Sequence, residues 1–452
     1  MSNKEKVIKN IDIIIYIAVI CYLLDIIVLG GGDLTRIFGI SSKMISFAVA
    51  VVLSGVMILL DLKNYITNKT LLAVAGFMII VVINAARGIL VGDNISMAIL
   101  LSDVKGFLNF LMVIPMVYIL NSKERVVKLA KICTVVLTVL AGIVILLCFY
   151  RKYPESIQHM LYNFLSENTI CGIAGLTRNT VRVFFHTASR LFFCGFLFAL
   201  GFSILEKKKT GWMVSMVLQV LAIILSFTRS IYLGLFLAAV ALAVIVFFFC
   251  KEEFENFCKR VAVMCIAVVC ATVVISVIQG ENVFAVAINR CILGITTESP
   301  GGDATEDPGE TEDTEENILG NLESEQANLT IRQIRTETAL KNIAKNPILG
   351  NGLGTINDPN GDLIEYFYLD LLSKVGIVGF LIFLLPFAIA SYFIWKNMAV
   401  YDRGQKIIAL CVWSMVVYLL IISYFNPCMN TTTGLSIYSM LLGVVQPWKN
   451  NK

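Results

Sequence analysis

Gly211 to Cys250 reads GWMVSMVLQVLAIILSFTRSIYLGLFLAAVALAVIVFFFC, forty residues in which Arg229 is the only charge. About 18 apolar residues suffice to cross a bilayer as a helix. The polar cluster Ser226-Phe227-Thr228-Arg229-Ser230 falls near the middle of the run. The stretch therefore predicts two membrane helices, 211–227 and 231–250, joined by a tight turn with Arg229 at its end. A charge at membrane depth costs about 2.5–3.5 kcal/mol on insertion scales. Arg229 either snorkels to the surface or serves an anion site there.

The rest of the chain has the same character. Of its 452 residues 58% are hydrophobic and 15% charged, with mean hydropathy +0.81, whereas a soluble domain is about 25% charged. In lipid the backbone satisfies itself only in helices or closed barrels, and runs of this length are helices. The expected fold class is all-α, a polytopic integral membrane protein of about twelve transmembrane helices: 10–29, 44–60, 70–87, 104–120, 129–149, 190–205, 211–227, 231–250, 261–279, 375–395, 405–423 and 432–447. Lys4, Lys6 and Lys9 before an apolar run imitate a signal peptide. The run is too long and has no small-residue cleavage site, so it reads as an uncleaved first span.

Basic residues in short connections mark the cytoplasmic side. With the N-terminus inside, the inner segments hold 20 of the 36 Lys and Arg residues, among them Lys63, Lys123, Arg125, Lys207, Lys208, Lys209, Lys251, Lys396 and Arg403. This predicts a cell (plasma) membrane protein with both termini cytoplasmic. It divides the chain into a nine-helix membrane region, 1–279, with an external loop at 150–189; a large external loop, 280–374, between helices 9 and 10; and a three-helix region, 375–452. Cysteines lie mostly inside apolar runs as small buried hydrophobes, while Cys171, Cys291 and Cys428 fall in loops where a disulfide is open.

The large loop has three parts. Residues 298–326 are acidic and poor in apolar side chains, which suits a solvated, disordered linker; their carboxylates are also of the type that binds calcium, but the spacing fits no known loop. Residues 328–346 read as an amphipathic helix, with Asn328 or Thr330 as cap and Pro347 beyond its end. Arg332, Arg335, Ala339 and Ile343 share one face, and Glu337, Lys341 and Lys345 the other. Two arginines on the packing face serve either anion binding or structural ion pairs. Gly350-Asn351-Gly352-Leu353-Gly354 lacks the Lys-Ser/Thr of a nucleotide loop and reads as a tight turn back to the membrane. Asp25, Asn84 and Arg87, in or near spans, read as polar contacts between helices. Arginines rather than lysines mark the expected outer face: Arg178, Arg182, Arg190, Arg229, Arg290, Arg332 and Arg335.

Four segments, in this order, give the chain a resemblance. They are Arg182 to Arg190 before a span, Ser226 to Ser230 between spans, Ala344-Lys345-Asn346-Pro347-Ile348-Leu349-Gly350-Asn351-Gly352-Leu353-Gly354, and Tyr368-Leu369-Asp370-Leu371-Leu372 followed by Gly376-Ile377-Val378-Gly379. Over roughly 180–380 the chain resembles the Wzy-type polysaccharide polymerase and O-antigen ligase superfamily. The resemblance implies transfer of glycan from a polyprenyl pyrophosphate carrier to a sugar hydroxyl outside the membrane. The polymerase reading, for capsule or exopolysaccharide, stands first and a ligase second. Arg182, Arg190, Arg229, Arg290, Arg332 and Arg335 would bind pyrophosphate. No metal, cofactor or nucleic acid is implied; a flippase and a chain-length regulator of the same pathway are implied partners. Many members carry His-Asn before the Tyr-Leu, where this chain has Glu365 and Tyr366. That departure weakens the ligase reading and leaves Glu365 as candidate base, with Asp362 and then Glu337 as rivals. A flippase or transporter is the alternative of another class; it would need charges along a path through the spans.

Overall fold

In the computed structural model residues 3–445 are described, apart from 31–35, 38–39, 92–94, 169, 178, 207–208, 250, 297–330 and 359–365. Among the described residues ten helices are long and apolar enough to cross a membrane, and two shorter apolar ones complete the twelve expected. They are α1 (Asn3–Leu29), α2 (Ser42–Leu60), α3 (Lys69–Val91), α4 (Met97–Ile119), α5 (Lys123–Leu147), α7 (Ala188–Leu205), α8 (Thr210–Leu225), α9 (Arg229–Phe249), α10 (Lys251–Gln279), α13 (Phe367–Asn397), α14 (Arg403–Ile422) and α15 (Thr432–Val444). The protein is an all-α polytopic membrane protein. Outside the spans lie α6 (Glu155–Glu167), a hairpin of β1 (Cys171–Gly175) and β2 (Val181–Phe185), α11 (Val283–Thr296), and a helix over 331–345, α12.

Burial sorts the spans. The most apolar stretches of α7 and α14 are 83% and 72% buried, against 17% for α2 and 22% for α10. Thus α7, α14 and the shorter α15, whose residues 434–444 are all buried, form the centre, while α2, α3, α5 and α10 present Val52, Leu59, Val82, Val139, Val273 and Val277 outward, as a surface meeting lipid tails should.

The connections gather at two ends. At one, Lys123 pairs with Asp402 (2.8 Å), Lys131 with Glu206, Arg403 with Glu253 and Arg125 with Asp12. Tyr401 there donates to the carbonyl of Val445, so α1 begins and α15 finishes at the same end. Such half-exposed pairs are worth about 0–1 kcal/mol each. At the other end are Gly30 against Thr187, Ser230 against Asn426, Gln279 against Cys148, and both long connections.

Of the long loop, α12 presents the face expected: Ala339 is buried and Arg332, Arg335 and Ile343 half-buried, while Glu337, Lys341 and Lys345 are exposed. Positions 328–330 of the expected helix, and the acidic linker 298–326, lie outside the described residues. The membrane helix expected from 375 begins at Phe367. It consists of two helical segments joined across a kink at Gly376 (φ 65°, ψ −175°). The glycine turn packs into that kink and onto α3. Leu353 N–H donates to the carbonyl of Asn84 and Gly352 N–H to that of Lys374, each at 2.9 Å. Gly88 and Gly352 meet backbone to backbone: a Cβ on Gly88 would lie 2.2 Å from the Leu353 oxygen. Glycine-to-alanine changes inside helices usually stabilise by about 0.5–1 kcal/mol. On α3, Gly76→Ala, whose Cβ meets nothing within 4 Å, should leave or raise the melting temperature of the purified protein. Gly88→Ala should lower it; equal effects would contradict this docking.

Candidate functional site at the loop-bearing end

Two groups of side chains are built at this end. The first starts from the hairpin, whose antiparallel register sets Ala174 opposite Arg182. Strand alternation sends Val181, Val183 and Phe185 into the core and leaves Arg182 and Phe184 on the half-buried face. The Arg182 guanidinium lies over the Phe184 ring, 5.1 Å from its centroid, a cation–π contact. Its Nε donates to the Ser226 carbonyl (3.3 Å) and Nη2 to Thr228 Oγ1 (3.4 Å). The hairpin is thus stitched to the α8–α9 turn, which carries Arg229. Phe227 in that turn is wholly buried at φ 46°, a left-handed conformation that a bulky residue adopts only when its surroundings enforce it.

Arg190 lies in the first turn of α7, half-buried, beside Cys428 of the α14–α15 connection. Burial pushes the Cys428 thiol up, and Arg190 opposes that rise. Cys171 in β1 is pushed by burial to about 12. Both are buried free thiols, not a disulfide. Arg290 lies in α11, and Glu281, two residues before that helix, accepts hydrogen bonds from Thr177 and Thr180 beside the hairpin.

The second group is one that the sequence pattern does not announce. Lys374, 2% exposed, donates to Asp103 Oδ1 (2.8 Å) on α4 and to Asp370 Oδ2 (2.7 Å) one turn back on α13. Asp103 also accepts the N–H of Gly354 at 2.9 Å. Asn357 donates to Asp370 Oδ1 and to Ser373 Oγ, and accepts from Asn342 of α12 at 2.9 Å. Asn351 joins the carbonyls of Asn342 and Ser373, and Arg87 reaches the carbonyl of Gly350 at 3.0 Å. Arg87 therefore contacts the returning loop rather than merely another span, whereas the Asn84 side chain donates to the Ile80 carbonyl of its own helix and only its backbone carbonyl meets the loop. Asp25 does bridge α1 to the start of α2 through Ser42.

Arg335 pairs through Nε and Nη2 with Asp358 (2.9 and 2.8 Å), whose side chain is 1% exposed. The structural alternative for the arginine pair is thus realised at Arg335, while Arg332 lies half-buried on the same face. Glu365 and Asp362 lie outside the described residues. Glu337 is on the exposed side of α12, away from the packed face.

Fold and site define a multi-pass membrane protein with arginines and a docked polar loop at one end of its bundle. Residues 214–384 match the family model described as Wzy_C, O-antigen ligase. The match spans α8 through the first half of α13, is consistent with an O-antigen ligase/Wzy-type superfamily and supports a glycan-transferring membrane enzyme of that class. The match covers Arg229, Arg290, Arg332, Arg335, Asp370 and Lys374; Arg182, Arg190 and Asp103 precede it. No protein of curated function matches the chain.

With all three groups ionised, one lysine between two carboxylates gives the buried cluster a formal net charge of −1. Lys374→Met would leave two buried carboxylates without a cation and should cost about 3–5 kcal/mol of stability. Asp103→Asn, which keeps a neutral Lys374–Asp370 pair and an acceptor for Gly354, should cost less. Thermal unfolding of the two variants in detergent checks that order; the reverse order would contradict the charge assignment.

Proposed function

We propose that the protein is a polymerase of extracellular polysaccharide. It would transfer a growing glycan from polyprenyl pyrophosphate onto a lipid-linked repeat unit at the outer face of the cell membrane. The observation that carries this is Arg182 on a hairpin stitched to the turn bearing Arg229, at the membrane end that also holds Arg190. Phosphate recognition needs fixed guanidinium groups at a partly desolvated surface. Departure of a lipid pyrophosphate needs such charge in place before negative charge develops.

In this reading Arg182, Arg190 and Arg229 bind the pyrophosphate and Arg332 adds charge from α12. Arg335 acts by holding Asp358 and the loop beneath it, and Arg290 lies at the margin. Glu365 is the base that takes the acceptor hydroxyl's proton, with Asp362 as its rival. The loop-bearing end faces outward and both termini face the cytoplasm, because the opposite end collects Lys123, Arg125, Lys131, Lys251 and Arg403. The second reading, transfer of finished glycan to another acceptor, is favoured by the matched family's description. Against it stands Glu365-Tyr366 where ligase-like relatives carry His-Asn.

Loss of a hydrogen bond to a charged group costs about 1.5–3 kcal/mol. Arg182→Ala and Arg229→Ala should each lower polymer formation in cells by about 10- to 100-fold, with single lipid-linked repeat units accumulating on the outer leaflet. Accumulation on the inner leaflet would instead indicate a flippase and overturn the proposal.

A further inference from the structure

Two helices outside the spans carry apolar side chains that no element among the described residues covers. In α6, at about 100° per residue, Met160, Phe164, Ile157, Leu161 and Leu165 form one continuous arc. Leu165 is buried and Leu161 half-buried against the protein, but Ile157, Met160 (63% exposed) and Phe164 (53%) are open. Ser156, His159 and Asn163 occupy the opposite, polar side. In α11, Val283 is buried while Phe284 and Ile288, one turn apart, are exposed.

What covers these faces follows from where the helices start. Tyr153 donates to the Leu146 carbonyl at 2.7 Å, in the last turn of span α5, and Tyr150 to the Gln158 carbonyl of α6 at 3.0 Å. Helix α6 is therefore pinned to the membrane end of α5, whose Val139 and Leu146 are exposed apolar residues. Similarly, α11 begins four residues after α10 ends at Gln279, and the Ser276 hydroxyl of α10 accepts the Val283 N–H at 3.1 Å. The last turns of α10 expose Val277 and Ile278. In both places a span that ends in exposed apolar residues is followed directly in the chain by a helix that exposes more of them.

We infer that α6 and α11 lie in the interfacial layer of the bilayer, with Ile157, Met160, Phe164, Phe284 and Ile288 inserted among phospholipid chains. A helix with one apolar and one polar side binds there in proportion to the apolar area it buries. Both are tied to the hairpin: Ile170 N–H donates to the Leu165 carbonyl of α6 at 3.1 Å, and Glu281, two residues before α11, accepts from Thr180 at 2.7 Å. The collar therefore sets the depth of the hairpin, and Arg182 with it, at the level of lipid headgroups. This holds whether or not the arginines bind pyrophosphate.

The test places the photoreactive benzoylphenylalanine singly at Met160, Phe164 and Ile288 of the full-length protein in vesicles of phosphatidylethanolamine and phosphatidylglycerol. Val139 serves as the span control and Asn163 as the aqueous control. Irradiation should give phospholipid adducts at Met160, Phe164 and Ile288 in yield comparable to Val139, and about tenfold fewer at Asn163. Adducts falling to the Asn163 level while Val139 still labels would overturn the inference. So would cross-links at these positions to a second copy of the chain in place of lipid.

Discussion

A lysine ammonium wholly withdrawn from water between two carboxylates is the constraint on which the loop-bearing end depends. Lys374 is held by Asp103 from α4 and Asp370 from its own helix. Three charged groups inside a membrane bundle persist only if each is paired and hydrogen-bonded. The remaining acceptors of the cluster are met by the loop itself, through the Gly354 N–H and the Asn357 amide. Bundle and loop therefore satisfy each other: with the loop elsewhere, Asp103 and Asp370 would each lose a donor.

The backbone adapts to that docking. Gly376 takes φ 65° so that α13 can kink where Gly350 and Ile348 pack against it. The N–H groups of Ile377 and Val378, freed by the kink, donate to the carbonyls of Pro347 and Ile348. Asn342, Asn351 and Asn357 carry the same attachment outward to α12. Arg335 and Asp358 close it. The position of the loop arginine helix is thus fixed from within the membrane region.

Much of the architecture is legible in the chain. Hydropathy marks the twelve helices, including Thr210–Leu225 and Thr432–Val444, each shorter than a usual span. Helical periodicity marks the packed face of α12, because a 3.6-residue repeat survives whatever the helix docks against. The buried cluster is not legible. Asp103 sits at the edge of an apolar run, just outside the span expected from 104, and Lys374 falls at the last position of the expected loop. The i,i+4 spacing of Asp370 and Lys374 is the available signal. The partner of that pair lies 271 positions from Lys374, a meeting that local pattern does not encode. Nor does it encode that Arg182 reaches the turn before Arg229, since a hairpin's direction depends on its register.

The arginines and the docked loop lie at one end, the weak ion pairs at the other. That asymmetry is what the proposed transfer from a lipid-borne pyrophosphate at one membrane surface would use. The most direct measurement is reconstitution of the purified protein in vesicles with polyprenyl-pyrophosphate-linked repeat units as sole substrate, products being resolved by chain length. A polymerase should give a ladder of lipid-linked oligomers growing by one repeat unit, with release of polyprenyl pyrophosphate. Unchanged single repeat units, under conditions where they are inserted and accessible, would contradict that assignment.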